Sequence, residues 1–397
     1  MSKRNFLVSL FLIIGMLIRP GSFAQIPLSK DATLSMITIG PYDPELWSSW
    51  GHSVIRVYDP NQGINWLYDY GRFSFDQKNF YWNYALGKTY YSIGKSERYD
   101  AYVNMWQRQN RTVTEQVMDF TQAEVQAAFN ALEKNNLPEN REYLYNYVHD
   151  NCATRLIDLI DQTLPGKVTF DDTFMLEGAT ARDLMDVGLE FQPWGDLLID
   201  MLLGSQIDHP VNQREHLMMP DYVRQCLAKS TINRGGQIVP LVRQERVVFQ
   251  AKPENLANGI LTPFNVFVLL FFVVGFITNR NFKTLKRTKW IDYLLFSLVG
   301  MLGLICTFLW FGTEHLSKYN WNLLWAIPFH LPAIWMTRYP KYQPFLTRYF
   351  RFTGVLYALT LLFWVVLPQP LHQSLVPFVL LLTLRAFYIS YDLSRFG

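Results

Sequence analysis

Two short segments hold residue types whose pairing could run acyl-transfer chemistry: Trp50-Gly51-His52-Ser53-Val54-Ile55-Arg56-Val57 and, about a hundred residues later, His149-Asp150-Asn151-Cys152-Ala153-Thr154-Arg155-Leu156. The first reads as a histidine opening a β-strand and the second as a cysteine on the first turn of a helix. A cysteine there lies near unsatisfied backbone N–H groups and the positive end of the helix dipole, which favour thiolate over thiol. The same donors can hold an oxyanion. His52 would accept the thiol proton and later assist the second substrate, while a third polar group orients the ring. Asp69 is the candidate orienter, with Tyr68 and Tyr70 on either side. His149 is a rival base, but the run Tyr145-Asn146-Tyr147-Val148 would hold it in extended chain pointing away from the helix start. His149, Asp150 and Cys152 in one short stretch do not by themselves make a tetrahedral site, so neither a metal nor any other cofactor is expected.

The elements that must position these groups follow from local patterns. Ser53 to Tyr58 and Asn65 to Tyr70 are rich in β-branched and aromatic residues and flank the turn composition Asp59-Pro60-Asn61-Gln62-Gly63, which reads as a hairpin. Thr121-Gln122-Ala123-Glu124 is a capping-box pattern ahead of a helix to about Asn135. A second helix runs from Cys152 to about Gln162, with Asp150 or Asn151 as its cap and Leu156, Ile157, Ile160 and Leu164 as its apolar stripe. Cys152 falls on the inward face. Arg243 to Asn258 reads as a connector.

Residues 1–24 have the form of an export signal: Lys3 and Arg4, an apolar core from Phe6 to Ile18, and the small-x-small site Ser22-Phe23-Ala24. The expected exported domain is therefore 25–258, an α+β unit, and 259–397 is an all-α membrane domain. Five apolar runs stand out, at about Leu261–Thr278, Trp290–Phe311, Trp321–Met336, Phe352–Leu367 and Leu375–Tyr391, with Arg385 interrupting the fifth. The segments after the first and third runs are rich in lysine and arginine, which assigns them and the C-terminus to the cytoplasm and the first domain to the exported side. Pro328 and His330 inside the third run are candidates to line a lipid groove. His315 lies in an exported loop that could meet the catalytic domain. The net charge of +3 is too small for nucleic-acid binding, and three cysteines, Cys152, Cys226 and Cys306, exclude a disulfide framework. A Cys152–Cys226 bridge is the one pairing considered.

A Gly-His strand followed by an Asn-Cys helix resembles circularly permuted papain-like folds, including lecithin:retinol acyltransferase-like enzymes and relatives of the NlpC-type cell-wall peptidases. The whole arrangement resembles the Lnb family of lipoprotein N-acyltransferases, on Gly51-His52, Tyr68-Asp69-Tyr70-Gly71-Arg72-Phe73, Tyr145-Asn146-Tyr147 and Asp150-Asn151-Cys152-Ala153-Thr154-Arg155. One departure is Asp69, where asparagine is expected. The resemblance implies Cys152, His52 and Asp69 as catalytic residues, and Asn151, Arg155, Tyr70 and His315 as substrate contacts. It also implies a phospholipid acyl donor, a diacylated lipoprotein acceptor, and a place in the bacterial inner membrane with the first domain periplasmic. The competing readings are a cysteine peptidase or amidase acting on peptidoglycan, and a non-catalytic membrane scaffold.

Overall fold

The computed structural model describes residues 26–253 and 259–395. The expected export signal lies outside these residues. In chain order the first domain runs β1 (Thr33–Ile39), β2 (His52–Asp59), β3 (Ile64–Arg72), α1 (Phe80–Ala85), β4 (Tyr90–Ser96), α2 (Tyr99–Arg108), β5 (Val113–Met118), α3 (Gln122–Asn135) and β6 (Glu142–Leu144). After it come α4 (Cys152–Thr163), β7 (Val168–Thr169), α5 (Ala181–Gly188), α6 (Pro193–Leu202), α7 (Gln213–His216), α8 (Pro220–Lys229), β8 (Thr231–Arg234), β9 (Gln237–Pro240) and β10 (Val242–Phe249). Seven strands form one antiparallel sheet in the order β10-β5-β1-β2-β3-β4-β6, and β7, β8 and β9 form a small second sheet.

The expected hairpin is β2–β3, with Ile55 opposite Tyr68 and Asp59 opposite Ile64. Helices cover both faces of the large sheet, so β2 is buried along almost its whole length instead of alternating. Ile55, Val57, Tyr68 and Tyr70 pack in a core with α3 and α4, whereas Val54 and Leu67 pack with Tyr99, Val103 and Trp106 of α2. The capping box of Thr121 and Glu124 opens α3 as expected. Arg243 to Phe249 is not a connector: it belongs to edge strand β10, which adds itself to β5. Its chain follows the β8–β9 hairpin without a break, so the free edge of β5 is filled by main-chain hydrogen bonds that a polar, half-exposed sequence can still make.

The second half holds α9 (Pro263–Thr284), α10 (Lys289–Gly312), α11 (His330–Met336), α12 (Gln343–Leu362) and α13 (Leu375–Ser394). Among the described residues, α9, α10 and α13 are long and apolar enough to cross a membrane. The third expected span is broken. Trp321–Leu324 is a single 3-10 turn and α11 is only seven residues, because Pro328 can neither donate to a continuing helix nor let its predecessor stay helical. The fourth begins earlier than its apolar run, at Gln343, taking in Arg348 and Arg351, and stops short of Pro368. Likewise α9 continues to Thr284, so the basic loop shrinks to residues 285–288. Arg385 fits inside α13 because Asp292 of α10 pairs with it at 2.6 Å and Thr278 and Asn281 of α9 accept from its Nη1. His330 lines no groove: it is fully buried, with Tyr349 and Tyr357 on its two nitrogens and Phe296 and Phe350 against its faces.

Candidate active site

His52 is the first residue of β2, and what aims it is the turn before it. Gly51 has φ of +80°, and a Cβ there would stand 2.5 Å from the Ile39 carbonyl oxygen, so only glycine lets the chain enter the strand so tightly. Trp50 fixes the entry from the other side by donating its indole N–H to the Met185 carbonyl at 2.9 Å. Alternation along β3 then puts Asp69 on the opposite face from the core residues Tyr68 and Tyr70, and its Oδ1 lies 2.6 Å from His52 Nε2. Arg72 holds the second carboxylate oxygen at 2.9 Å through Nε and reaches Tyr102 of α2 with Nη2. Asp69 is thus clamped between a guanidinium and the imidazole.

Cys152 approaches from the other face of the sheet. The pairing of β3 with β4 shifts register between Asp69 and Arg72, and Gly71 in that irregularity has φ of +90°. A Cβ on Gly71 would sit 3.7 Å from Cys152 Cβ and 3.9 Å from the Tyr145 ring. The bulge therefore removes side-chain bulk and re-aims the strand where the thiol must pass the sheet to meet His52. Burial of the His52 ring works against its charge, but Cys152 and Asp69, by charge and by hydrogen bonding, outweigh it and push His52 up to about 10. Burial also works against Asp69, but His52 and Arg72 hold its carboxyl below the usual range. His52 and Asp69 are arranged as an ion pair, an imidazolium on a fixed carboxylate, with the Cys152 sulfur beside the ring.

The helix start uses one of its two expected cap candidates. Asn151, not Asp150, is the cap: its Oδ1 accepts from Ala153 N at 2.8 Å and Thr154 N at 3.0 Å, and Thr154 returns the bond to complete a capping box. Its Nδ2 donates to the carbonyls of Tyr147 and Met218. Every polar atom of its side chain is spent on backbone, so Asn151 serves as a cap in place of the expected substrate contact. Tyr70 is also displaced from that role, since strand alternation buries it in the core, where its hydroxyl accepts from Asn135 at 2.9 Å. Arg155 keeps one face in reach of solvent, forks onto Asp150 and stacks over Tyr143 at 4.1 Å. His149 is exposed, but its segment is not extended: it sits on a turn closed by the Asn146–Asp150 bridge, with Asn146 Oδ1 accepting from the Val148 and His149 N–H groups. Cys226 and Cys306 are buried and free, and no bridge to Cys152 forms. Burial pushes the Cys226 thiol up to about 11, which leaves it inert at neutral pH.

Three residues beside the site were not singled out in the sequence: Arg72, Tyr143 and Tyr145. For two of them the signal lay in the motifs quoted above, Arg72 three residues after Asp69 and Tyr145 seven before Cys152, whereas Tyr143 lay in none of them. Burial first, and the Cys152 charge second, push both tyrosine hydroxyls up, so each stays an O–H donor. Tyr145 stacks on Tyr91 at 4.1 Å and forms one wall of an open cleft of about 500 Å³, whose lining also includes Gly87, Lys88, Tyr90, Leu144 and Glu314. Glu314 comes from the loop after α10, so the membrane half contributes to the cleft. In the same loop His315 sets its ring on the Tyr84 carbonyl at 2.9 Å, a seam contact.

The seam is extensive. The last carbonyls of α6, orphaned as in any helix, are taken by side-chain amides of the other half: Asn320 on Met201, Asn322 on Asp200, and Gln369 on Asp200 and Leu203. Asp196 meets His372 at 3.0 Å, and Arg182 forks between Asp200 and Asp208. Asp196, Asp200 and His372 hold ligand-type atoms within 4.8 Å of one another. Two of the three are already committed to each other and the third to Arg182, so the group reads as an ion-pair network fastening the halves.

The family model described as the Lnb N-terminal periplasmic domain matches residues 28–184, and that of the Lnb transmembrane domain matches residues 255–395. No curated protein and no solved structure matches the chain.

Proposed function

The chain belongs to the Lnb family, and from that premise we propose that it moves an acyl chain from a membrane phospholipid, through a Cys152 thioester, to the α-amine of the S-diacylglyceryl cysteine of lipoproteins. The observation that carries this reading is the Cys152–His52–Asp69 constellation, together with Tyr145, which interacts with Cys152 and also lines a cleft walled partly by the membrane half. The Cys152 thiolate attacks the ester carbonyl carbon. The oxyanion is met by the Cys152 N–H, because Asn151 has taken those of Ala153 and Thr154, with the Tyr145 hydroxyl adjacent. As the tetrahedral centre collapses, the C–O bond breaks, His52 gives its proton to the departing lysophospholipid oxygen, and the thioester remains. The neutral His52 then takes a proton from the incoming amine, the C–N bond forms, and thiolate leaves to restore the ion pair. Amines attack thioesters readily, so a site that keeps water out favours amide over acid.

The reading assigns the first domain to the periplasmic side of the bacterial inner membrane and the C-terminus to the cytoplasm. Its support is that the clusters around Lys283 to Lys289 and Arg338 to Arg351 lie at the helix ends opposite the catalytic domain. The test is biochemical and cellular together. Full-length protein in nanodiscs with acyl-labelled phospholipid should take up hydroxylamine-sensitive label, and a diacylated lipopeptide with a free α-amine should discharge it as a triacylated product. Mass spectrometry of lipoprotein N-termini should lose the third chain in cells lacking the gene. A protein that never takes up label yet cleaves peptidoglycan peptides would transfer the assignment to an amidase.

A further inference from the structure

Eight aromatic residues fall between Phe73 and Tyr91, in the connection from β3 through α1 to β4. Water is a poor environment for what they present: Tyr81 is 80% exposed, Phe75 65%, Trp82 60% and Tyr84 56%. They are not loose, since Phe75 packs edge-on to Phe80 at 4.9 Å and to Phe73 at 5.1 Å. A contiguous aromatic surface of this kind on a soluble face marks an interaction site.

Its place in the molecule identifies the occupant. The Trp82 ring lies 6.4 Å from Phe308, which stands four residues, or about 6 Å, before the end of the membrane-crossing helix α10. Glu314 N–H donates to the Leu86 carbonyl at 2.8 Å, and the His315 ring meets the Tyr84 carbonyl. The segment is therefore level with the last turn of a span on the domain's side. Tryptophan and tyrosine, with apolar rings and one polar atom, are the residues that settle at this depth. Lys78 and Lys88 in the same segment suit anionic headgroups.

We propose that residues 73–91 are an interfacial seat, immersed among the lipid headgroups and upper acyl chains of the leaflet on the domain's side, with phospholipid as its occupant. The seat stands independently of the chemistry at Cys152, but it has a consequence for it. Gly87, Lys88 and Tyr90 at the end of this segment line the cleft that reaches Tyr145, so the cleft opens at the depth where glycerol esters lie. A donor lipid then needs no extraction from the bilayer.

The experiment uses the full chain with Cys152→Ala, Cys226→Ala and Cys306→Ala, into which Phe75→Cys, Tyr81→Cys or Glu97→Cys is introduced singly. Glu97 is exposed just beyond the far end of β4, which runs seven residues, about 20 Å, away from Tyr90. Each cysteine carries an environment-sensitive fluorophore, and the protein is reconstituted in vesicles of phosphatidylethanolamine and phosphatidylglycerol with a nitroxide-bearing lipid. Quenching at positions 75 and 81 should exceed that at 97 by at least about threefold, with blue-shifted emission. Probes at both 75 and 81 that are quenched no more than the one at 97 overturn the seat. Because Cys152 is absent, that failure leaves the acyl-transfer reading standing, and a failure of acyl transfer leaves the seat standing.

Discussion

His52 meets a carboxylate on one ring nitrogen and has a thiol beside it, whereas His330 lies fully buried in the membrane half with a tyrosine hydroxyl on each nitrogen. Around His52 the partners are ionic, and the ring keeps 28% of its side chain accessible. Around His330 they are neutral and aromatic. On the proposed reading, the first arrangement holds a charge beside the nucleophile Cys152. The second consumes every polar atom of the ring, which ties the broken third segment to α12 without offering anything to a substrate. A histidine in hydrocarbon is thus not a functional residue by its location alone; its partners decide.

The largest effect that could break this contrast is at the nucleophile. Cys152→Ala and Cys152→Ser should lower acyl-enzyme formation by at least about a thousandfold, since no other group on the chain replaces a thiolate. Cys226→Ala and Cys306→Ala should retain activity. Labelled phospholipid and hydroxylamine release read all four, and full activity in Cys152→Ala would favour the scaffold reading.

Next comes the base. His52→Ala should slow acylation by about a hundred- to ten-thousandfold, while His149→Ala, exposed and outside the site, should acylate normally. The same ring makes a pH-dependent contribution to stability. Its pKa is raised in the folded protein from 6.5 to about 10, so the stabilisation is fully present below pH 6.5 and is lost as pH rises towards 10. Melting temperatures of wild type and His52→Gln in detergent should therefore converge between those limits, and a gap that widens with pH would contradict the ion pair.

The membrane histidine should respond in the other currency. His330→Leu leaves the two tyrosine hydroxyls unpaired in the interior and should cost about 1–3 kcal/mol of stability. Acylation per folded molecule should stay within about twofold of wild type. A chemical defect with unchanged melting would move His330 into the reaction and erase the contrast.

Much of this was readable beforehand, and for local reasons. The β2–β3 hairpin, the α3 capping box and the helix opening at Cys152 rest on turn composition, caps and period, all encoded within a dozen residues. What the sequence hid depends on distant partners. Edge strand β10 is polar and becomes a strand only because β5 has a free edge. Tyr70 and Asn151 carry site-like chemistry, but the sheet's face and the helix's first turn claim them. The break in the third segment was signalled by Pro328, yet an apolar run masked it. The seam of Asn320, Asn322 and Gln369 on the end of α6 joins residues more than a hundred positions apart, which no local pattern records.

The smallest expected effect is the most discriminating about the orienter. Asp69 gives His52 one oxygen and Arg72 the other, so two separable jobs are combined: a hydrogen-bond acceptor that fixes the ring, and a negative charge that supports the imidazolium. Asp69→Asn keeps an acceptor of the same size, and Cys152 still supplies charge to the ring from its other side. If orientation is what Asp69 chiefly provides, Asp69→Asn should lose less than about tenfold in acylation, whereas Asp69→Ala, which frees the ring, should lose about a hundredfold. Asparagine at this position then becomes an acceptable alternative for the fold, in keeping with its expected use in related chains. Equal losses in the two variants would instead make the charge indispensable. The pH profile separates the cases once more: loss of the Asp69 charge removes one of the two influences that raise His52, so the basic limb of the Asp69→Asn profile should move to lower pH even where the maximal rate is nearly preserved.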